Sequence, residues 1–564
     1  MVNNQVSEGY ERPIQKLKVR RNALAPIAKL PPELLHRIFA IIKEESERLL
    51  QPKQSLTHPP THDTQAALHA LRAWNVVTHV CNRWRQIALD ASTLWTNPPI
   101  RSRLWTMEML KRSKTAGLAL DLASDTSSSN RTVISHIKHI KTLKFQYDSA
   151  EALNFLFMGL SDEAPHLENL SIIVNVCHGS AFLLRGREVV RFLLQPLTFR
   201  GTKALRRLTL SGVDVRWDSA LFHGLSHLSL RNLSAECKPT WRQLMDMLEL
   251  MPELQALVLD SAFPLETPSS SFPLHLPNLK ELAVYSVDAE VQSFFSRISF
   301  PPLERLYVGC RSAGPSLVDY ASVITAVSRS CPFVDTFGVA DIRKLKIHQR
   351  MASKYGFCIE VFRDLSRPNT FESNLEFLFG SHIDDPAIHP GNKIVRDVFG
   401  RLGFVNLTDL TIIAGTMLHA RVLANTFGRL PRLNTVCISA LISRKMINVL
   451  AMDTDDPTKK GLDDILFPTL HTIVFESVAF KPSALYDARV EDVQDLLIQR
   501  CEYGAPIQHL RFNCCPFLKR TDIARFSEIV PDVQWDEQEI YSFKLGDRGH
   551  GLGLGPFLIP CFGF

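Results

Sequence analysis

The chain has 11 cysteines and 19 histidines, the residue types that ligate metals, attack carbonyls or move protons. The cysteines are scattered, odd in number and lack any Cys-x-x-Cys pair. Cys177, Cys358 and Cys437 lie inside apolar strings, where a free thiol packs as a small hydrophobe. Cys514 and Cys515 are adjacent, with no well-spaced further ligands. Of the histidines only His136 and His139 are paired, at a spacing that suits a helix surface. No phosphate loop, His-Glu-x-x-His helix or Gly-x-Ser-x-Gly elbow occurs. The C-terminal GHGLGLGPFL has no helix or second strand after it to receive a pyrophosphate. The residues therefore predict no catalytic site, no metal and no cofactor, and free thiols throughout. The expected chemistry is that of binding surfaces.

The densest candidate surface lies between Leu30 and Ile100, in LPPELLHRIFAII and, after a polar insertion, WNVVTHVCNRWRQIALDASTLW. Pro31 and Pro32 suit a first helical turn, where the backbone N–H has no partner anyway. Leu34, Leu35, Ile38, Phe39 and Ile42 then fall on one helical face. Trp74, Val77, Cys81, Trp84 and Ala88 make a second stripe, and Leu94 and Trp95 a third anchor. Three short helices have little core, so either some of this surface meets a partner or the following domain, or the two stripes close on each other.

These strings resemble the F-box family. The family's opening Leu-Pro and following helix are matched by Leu30, Pro31, Glu33, Leu34, Leu35, Ile38 and Phe39, and its Val-Cys-x-x-Trp-Arg and Leu-Trp by Val80, Cys81, Trp84, Arg85, Leu94 and Trp95. The resemblance covers a domain at 25–105 with an insertion at about 43–70, where QPKQSLTHPPTHD reads as a loop. It implies that Leu30, Pro31, Leu34, Leu35, Ile38, Phe39, Val80, Cys81, Trp84, Leu94 and Trp95 bind a Skp adaptor and, through it, a cullin-RING ubiquitin ligase. The chain would then select a protein target and catalyse nothing itself. The alternative is a repeat scaffold that recruits no ligase.

From 106 to 540 a Leu-x-x-Leu-x-Leu-like string recurs: IKTLKF, LENLSI, LRRLTL, LSHLSL, LQALVL, LKELAV, LERLYV, VDTFGV, LTDLTI, LNTVCI, LHTIVF and IQHLRF. Between Leu205 and Leu303 the steps are 20, 29, 25 and 24 residues, the spacing of a strand plus a helical or irregular return. Side chains alternate along a strand, so in LERLYV Leu306 and Val308 share one face while Arg305, Tyr307 and Gly309 share the other. Stacked units would make a parallel sheet with one buried and one solvated face, each unit stabilised by its neighbours. The pattern resembles the leucine-rich repeat family, whose Asn or Cys after the strand is matched by Asn175 and Cys515. The fold class expected is α/β: a short N-terminal helical F-box followed by an irregular leucine-rich-repeat solenoid with a parallel sheet. Two stretches interrupt it, Ile342 to Asn406, with one or two degenerate strands, and the acidic loop AMDTDDPTKKGLDD.

At 564 residues and 45% hydrophobic the chain can bury large cores. A net charge of +6 is modest, and its one dense basic cluster, Lys16, Lys18, Arg20 and Arg21, sits in a tail at 1–24 expected to be flexible; no specific nucleic acid is expected. A Gly-rich tail closes the chain at 541–564. No leader and no run near the roughly 20 apolar residues of a membrane helix is present, so no membrane association and a cytoplasmic or nuclear location are expected. The outward strand positions Lys144, Arg207, Arg231, Tyr285, Arg305, Tyr307 and Arg511 are the candidate target-binding surface, because Arg and Tyr are over-represented among interface hot spots; the alternative is recognition by the irregular loops, as at Asp453 to Asp464.

Overall fold

The computed structural model describes residues 17–50, 64–123, 130, 133–147, 150–157, 163–174, 192–195, 199, 201–264, 274–301, 303–311, 320–330, 342–349, 357–362, 375–380, 391–401, 404–413, 418–439, 443–451, 465–480 and 488–537. They fall into two compact units, Met1–Pro268 and Ser269–Phe564.

The first unit opens with helices α1 (Pro32–Leu50), α2 (Thr64–Asn75), α3 (Asn82–Asp90) and α4 (Arg103–Ser113). A parallel sheet follows, of strands β1 (Leu118–Ala123), β2 (Ile140–Tyr147), β3 (Asn169–Val174), β4 (Arg207–Ser211), β5 (His227–Arg231) and β6 (Ala256–Asp260), each paired with the next. The alternating strings explain the register. Leu143, Leu170, Leu208, Leu228 and Leu257 stand side by side across five strands, as do Phe145, Ile172, Leu210, Leu230 and Leu259, and all ten are buried. A one-residue slip of any strand would turn both rows to the opposite face.

Two backbone devices repeat with the strands. The carbonyl of a residue just before one strand accepts two successive N–H groups at the start of the next. Arg206 and Arg207 donate to Glu168, Ser226 and His227 to Arg206, and Gln255 and Ala256 to Ser226, at 2.7–3.1 Å. Just past the strands stands a left-handed residue: Gly212 (φ 64), Asn232 (φ 52) and Ser261 (φ 56) here, Ser477 (φ 54) and Cys514 (φ 50) in the second unit. The N–H groups of Gly212, Asn232 and Ser477 each reach the last carbonyl of the following strand at 2.9 Å. Only one of the five is glycine, so the side chains of the other four carry a steric cost that the ladder overrides.

The second unit contains β7 (Glu281–Val287), β8 (Arg305–Arg311), β9 (Lys344–Gln349), β10 (Phe357–Phe362), β11 (Leu375–Phe379), β12 (Asp409–Ile413), β13 (Thr435–Ser439), β14 (Thr472–Glu476), β15 (His509–Asn513) and β16 (Asp532–Trp535). Their order is β7-β8-β11-β10-β9-β12-β13-β14-β15-β16. Among the described residues every pair in this order is parallel except β9–β10 and β10–β11, so β10 runs against its neighbours. A parallel pair needs a crossover of a dozen or more residues, and β9 and β10 are joined by residues 350–356 only. Helices α5 (Asp288–Phe295), α6 (Tyr320–Ser330), α7 (Gly391–Arg401), α8 (Ala420–Phe427), α9 (Ser443–Leu450), α10 (Val490–Glu502) and α11 (Arg520–Ser527) pack each against the next. Arg500 of α10 is fully buried and donates to the carbonyls of Leu450, Leu466, Phe467 and Ala505 at 2.8–3.4 Å. Burial lowers this guanidinium to about 10.

The α/β class and its short N-terminal helices are as expected, and each repeat string is a strand apart from VDTFGV, which lies outside the described residues. Several expectations need correction. The stretch 342–406 holds three strands in an antiparallel meander, not one or two degenerate strands. The domain limit at 105 cuts α4, whose Trp105 and Met109 belong to the helical core, so the helical part runs to Ser113. The insertion at 43–70 is partly helix, since α1 continues to Leu50 with Lys43–Glu47 and Arg48–Glu45 pairs and α2 begins at Thr64. Residues 17–23 of the expected flexible tail are helical. Lys16, Asn175, Cys177, residues 453–464 of the acidic loop and the tail at 541–564 lie outside the described residues.

Candidate functional site

The helical module builds its own core from Leu35, Phe39, Leu71, Trp74, Val77, Ala88, Ala91, Leu94, Trp95 and Met109. Trp74 and Trp95 meet edge to face at 5.2 Å, and the Trp95 indole N–H donates to the Ala88 carbonyl at 2.8 Å, which satisfies its buried polar atom. The Arg112 guanidinium lies 4.3 Å from the Trp95 ring centroid. At the start of α3 the Cys81 sulfur accepts from the Trp84 N–H at 3.5 Å, and Trp84 turns back onto Phe39. Arg83 ties α3 to the segment before α1 by donating to the carbonyls of Ala28 and Leu30, the latter at 2.6 Å. His36 meets Thr93 at 2.8 Å, and Lys43 reaches Asn97 at 3.2 Å. Glu45 raises the exposed Arg48 guanidinium by hydrogen bonding to it, a surface pair of small consequence for stability.

The residues expected to dock an adaptor therefore divide. Leu35, Phe39, Leu94 and Trp95 are at most 1% exposed. They offer no surface to a partner, which corrects their assignment: an amphipathic stripe looks the same in sequence whether it meets its own domain or another chain. Leu30, Ile38, Cys81 and Trp84 are half-buried, with Leu30, Ile38 and Trp84 packed on the core. Pro31 is exposed, Leu34 is 48% exposed and Val80 54%. Two residues not singled out from the sequence join them, Ile41 at 53% and Val76 at 55%.

Helix α1 is thus apolar on two adjoining stripes. Leu35, Phe39 and Ile42 turn inward, while Leu34 and Ile41, seven residues apart, are exposed and flank the half-buried Ile38. A helix covering one core needs only the first stripe. The sequence signal for Ile41 was its place seven residues after Leu34, two helical turns on.

The expected target surface divides as well. Arg207 and Arg511 are exposed on their strands, and Lys144 and Arg305 half-exposed, with Arg305 paired to Glu281 at 3.2 Å. Arg231, Tyr285 and Tyr307 are buried, so their placement on a solvated face is corrected. Tyr285 stands opposite Gly309 and Tyr307 opposite Ala283, a large side chain beside a small one in each case, and both faces of β7 and β8 are covered. Arg231 stands opposite Asp260 and donates to Ser229 at 3.2 Å.

All cysteines among the described residues are free. The Cys515 thiol donates to the Phe475 and Asn513 carbonyls at 3.5 and 3.4 Å, both in strands, β14 and β15. Among the described residues no helix is long and apolar enough to cross a membrane.

These features define an α/β protein of strand–helix repeats with a helical module at its start. No family model matches the chain, and no curated protein matches it. Among solved structures, the crystal structure of the Rad7 and Elc1 complex in yeast is similar at 13% identity over 75% of this chain and 92% of that chain, with a TM-score of 0.26.

Proposed function

We propose that the chain is the substrate-recognition subunit of a Skp-cullin-F-box type ubiquitin ligase, with the helical module docking the adaptor and the repeats holding a protein target. The observation that carries this reading is the exposed apolar pair Leu34 and Ile41 on α1, left over a module whose core is already filled. In this role the chain supplies proximity and no chemistry of its own, raising the target's local concentration near a ubiquitin-charged partner. It works in the cytoplasm or nucleus. Its target contacts are Lys144, Arg207, Arg305 and Arg511, the outward strand positions with solvent access.

Binding of purified full-length protein to a recombinant Skp adaptor tests the reading. Each large apolar side chain buried on docking contributes roughly 1.5–3 kcal/mol, so a Leu34→Asp, Ile41→Asp change is expected to weaken the complex about a hundredfold or more. Undiminished binding by a variant with native circular dichroism, or no binding by the natural chain, would return the protein to the class of repeat scaffolds that recruit no ligase.

A further inference from the structure

The sequence predicts no metal and reads Cys358 as a small buried hydrophobe. The reversed strand changes its surroundings. In the β9–β10 register His348 stands opposite Cys358 and Lys346 opposite Glu360, and in the β10–β11 register Glu360 stands opposite Glu376. Because side chains alternate, these five residues share the face turned away from Leu345, Ile347, Ile359, Val361, Leu375 and Phe377. The ligand atoms of His348, Cys358 and Glu360 all lie within 4.8 Å of one another. His348 Nε2 is 2.8 Å from Glu360 Oε1, and the Cys358 thiol donates to Glu376 Oε1 at 3.6 Å.

We propose that this face binds a zinc-class divalent cation through His348 Nε2, Cys358 Sγ and the Glu360 carboxylate. An imidazole nitrogen, a thiolate and a carboxylate form the borderline-soft donor set that zinc prefers over magnesium or calcium. Around a tetrahedral ion with bonds of about 2.0–2.3 Å, ligand atoms stand roughly 3.3–3.6 Å apart. Binding therefore moves the three ligand atoms from their present separations of 2.8–4.8 Å to that spacing. All three ligands sit on paired strands, which hold them more firmly than loops would.

Charge points the same way. Glu360 and Glu376 face each other directly across two strands, an arrangement of like charges that destabilises a ladder. Lys346 meets Glu360 Oε2 at 3.4 Å. Glu376 and Cys358 are both deeply buried, where charges interact more strongly than in water. A divalent ion offsets the carboxylates and the thiolate together. On binding, the Cys358 S–H gives its proton to solvent as the sulfur–metal bond forms. Before binding, the His348 Nε2–H donates to Glu360; on binding, that proton goes to solvent and Nδ1 takes one up, so the ring stays neutral, and Nε2 and Glu360 exchange their mutual hydrogen bond for two bonds to the metal; nothing is oxidised or reduced.

The test is titration of chelator-treated, full-length protein with Co2+ and then Zn2+. One equivalent of cobalt is expected, with the charge-transfer absorption of a thiolate ligand and the visible bands of a four-coordinate ion, both abolished by zinc. Cys358→Ser is expected to remove the charge-transfer absorption. Glu360→Gln, which keeps the shape and can still hydrogen-bond His348, is expected to weaken zinc binding at least tenfold in protein with native circular dichroism. Substoichiometric cobalt, a charge-transfer absorption that survives Cys358→Ser, or unaltered zinc affinity in Glu360→Gln overturns the proposal. Should Cys358→Ser fail to fold, the natural protein's spectrum and Glu360→Gln decide it.

Discussion

Trp84 and Phe39 rest ring against ring, centroids 5.0 Å apart and planes tilted by 54°, although they come from the two halves of the motif-bearing segment. The contact closes α3 onto α1, so these aromatic residues hold the module together before any partner arrives. Stability and docking should therefore separate by mutation. Phe39→Ala is expected to cost about 3–5 kcal/mol of stability, whereas Leu34→Ala, on the outer stripe, should stay within roughly 0.5 kcal/mol. Denaturant titration of both variants checks this, and equal losses would mean that Leu34 also belongs to the core.

Tyr307 and Arg207 should part in the same way on the sheets. Tyr307 is buried beside Ala283, and Tyr307→Ala is expected to destabilise the chain by about 3 kcal/mol or more through the cavity it leaves. Arg207→Ala, at an exposed strand position, should leave the unfolding midpoint unchanged and reduce capture of a target. Crosslinking of captured proteins in cells, compared between the natural chain and Arg207→Ala, supplies the readout.

Acid should weaken the first unit through His227. Burial, and then the neighbouring Arg207 guanidinium, hold this imidazole below its ordinary value of 6.5. Above pH 6.5 the ring is neutral in both folded and unfolded chains, and its contribution is fully present. As pH falls below 6.5 the unfolded chain takes up the proton first, so stability drops until the lower folded value has been passed. His227→Gln is expected to flatten the pH dependence of the melting temperature below 6.5, and an unaltered slope in that variant would remove His227 as its source.

Thiol reactivity should follow exposure. Burial pushes Cys437 and Cys515 up to about 12 and raises Cys310 further, so none of the three forms thiolate near neutral pH. Cys501 is exposed. Brief alkylation of the native protein followed by peptide mass mapping is expected to label Cys501 well before Cys310, Cys437 or Cys515. The same maps should show no disulfide among the described cysteines, and early labelling of Cys310 would contradict its burial.

Much of the fold was legible because a strand's period of two is written directly in strings such as LRRLTL and LSHLSL, whose leucines became the rows Leu208–Leu228 and Leu210–Leu230. The same alternation misled at Tyr285 and Tyr307. Their burial depends on which small residues stand across the ladder, Gly309 and Ala283, and a single strand's sequence does not name its neighbour. Strand direction was hidden for a similar reason: FCIEVF reads alike in a parallel or an antiparallel pair. In the helical module the motif gave the helices, but the division of Leu34 from Leu35 rests on which stripe the partner helices cover.

The reversed strand β10 also bears on the order in which the second unit assembles. Pairing β9 with β10 closes only residues 350–356, whereas β8 and β11 are separated by residues 312–374 and β12 and β13 by residues 414–434. Loop closure costs more entropy as the loop grows, and short-range contacts form sooner. The hairpin is therefore the expected nucleus, its outer strand β9 giving an edge for β12 and its continuation β11 an edge for β8. Core truncations at Ile347 and Ile359 should slow refolding, while one at Leu510, near the far edge of the sheet, should chiefly speed unfolding. A nucleus placed in the middle of the strand order lets the array grow in both directions at once.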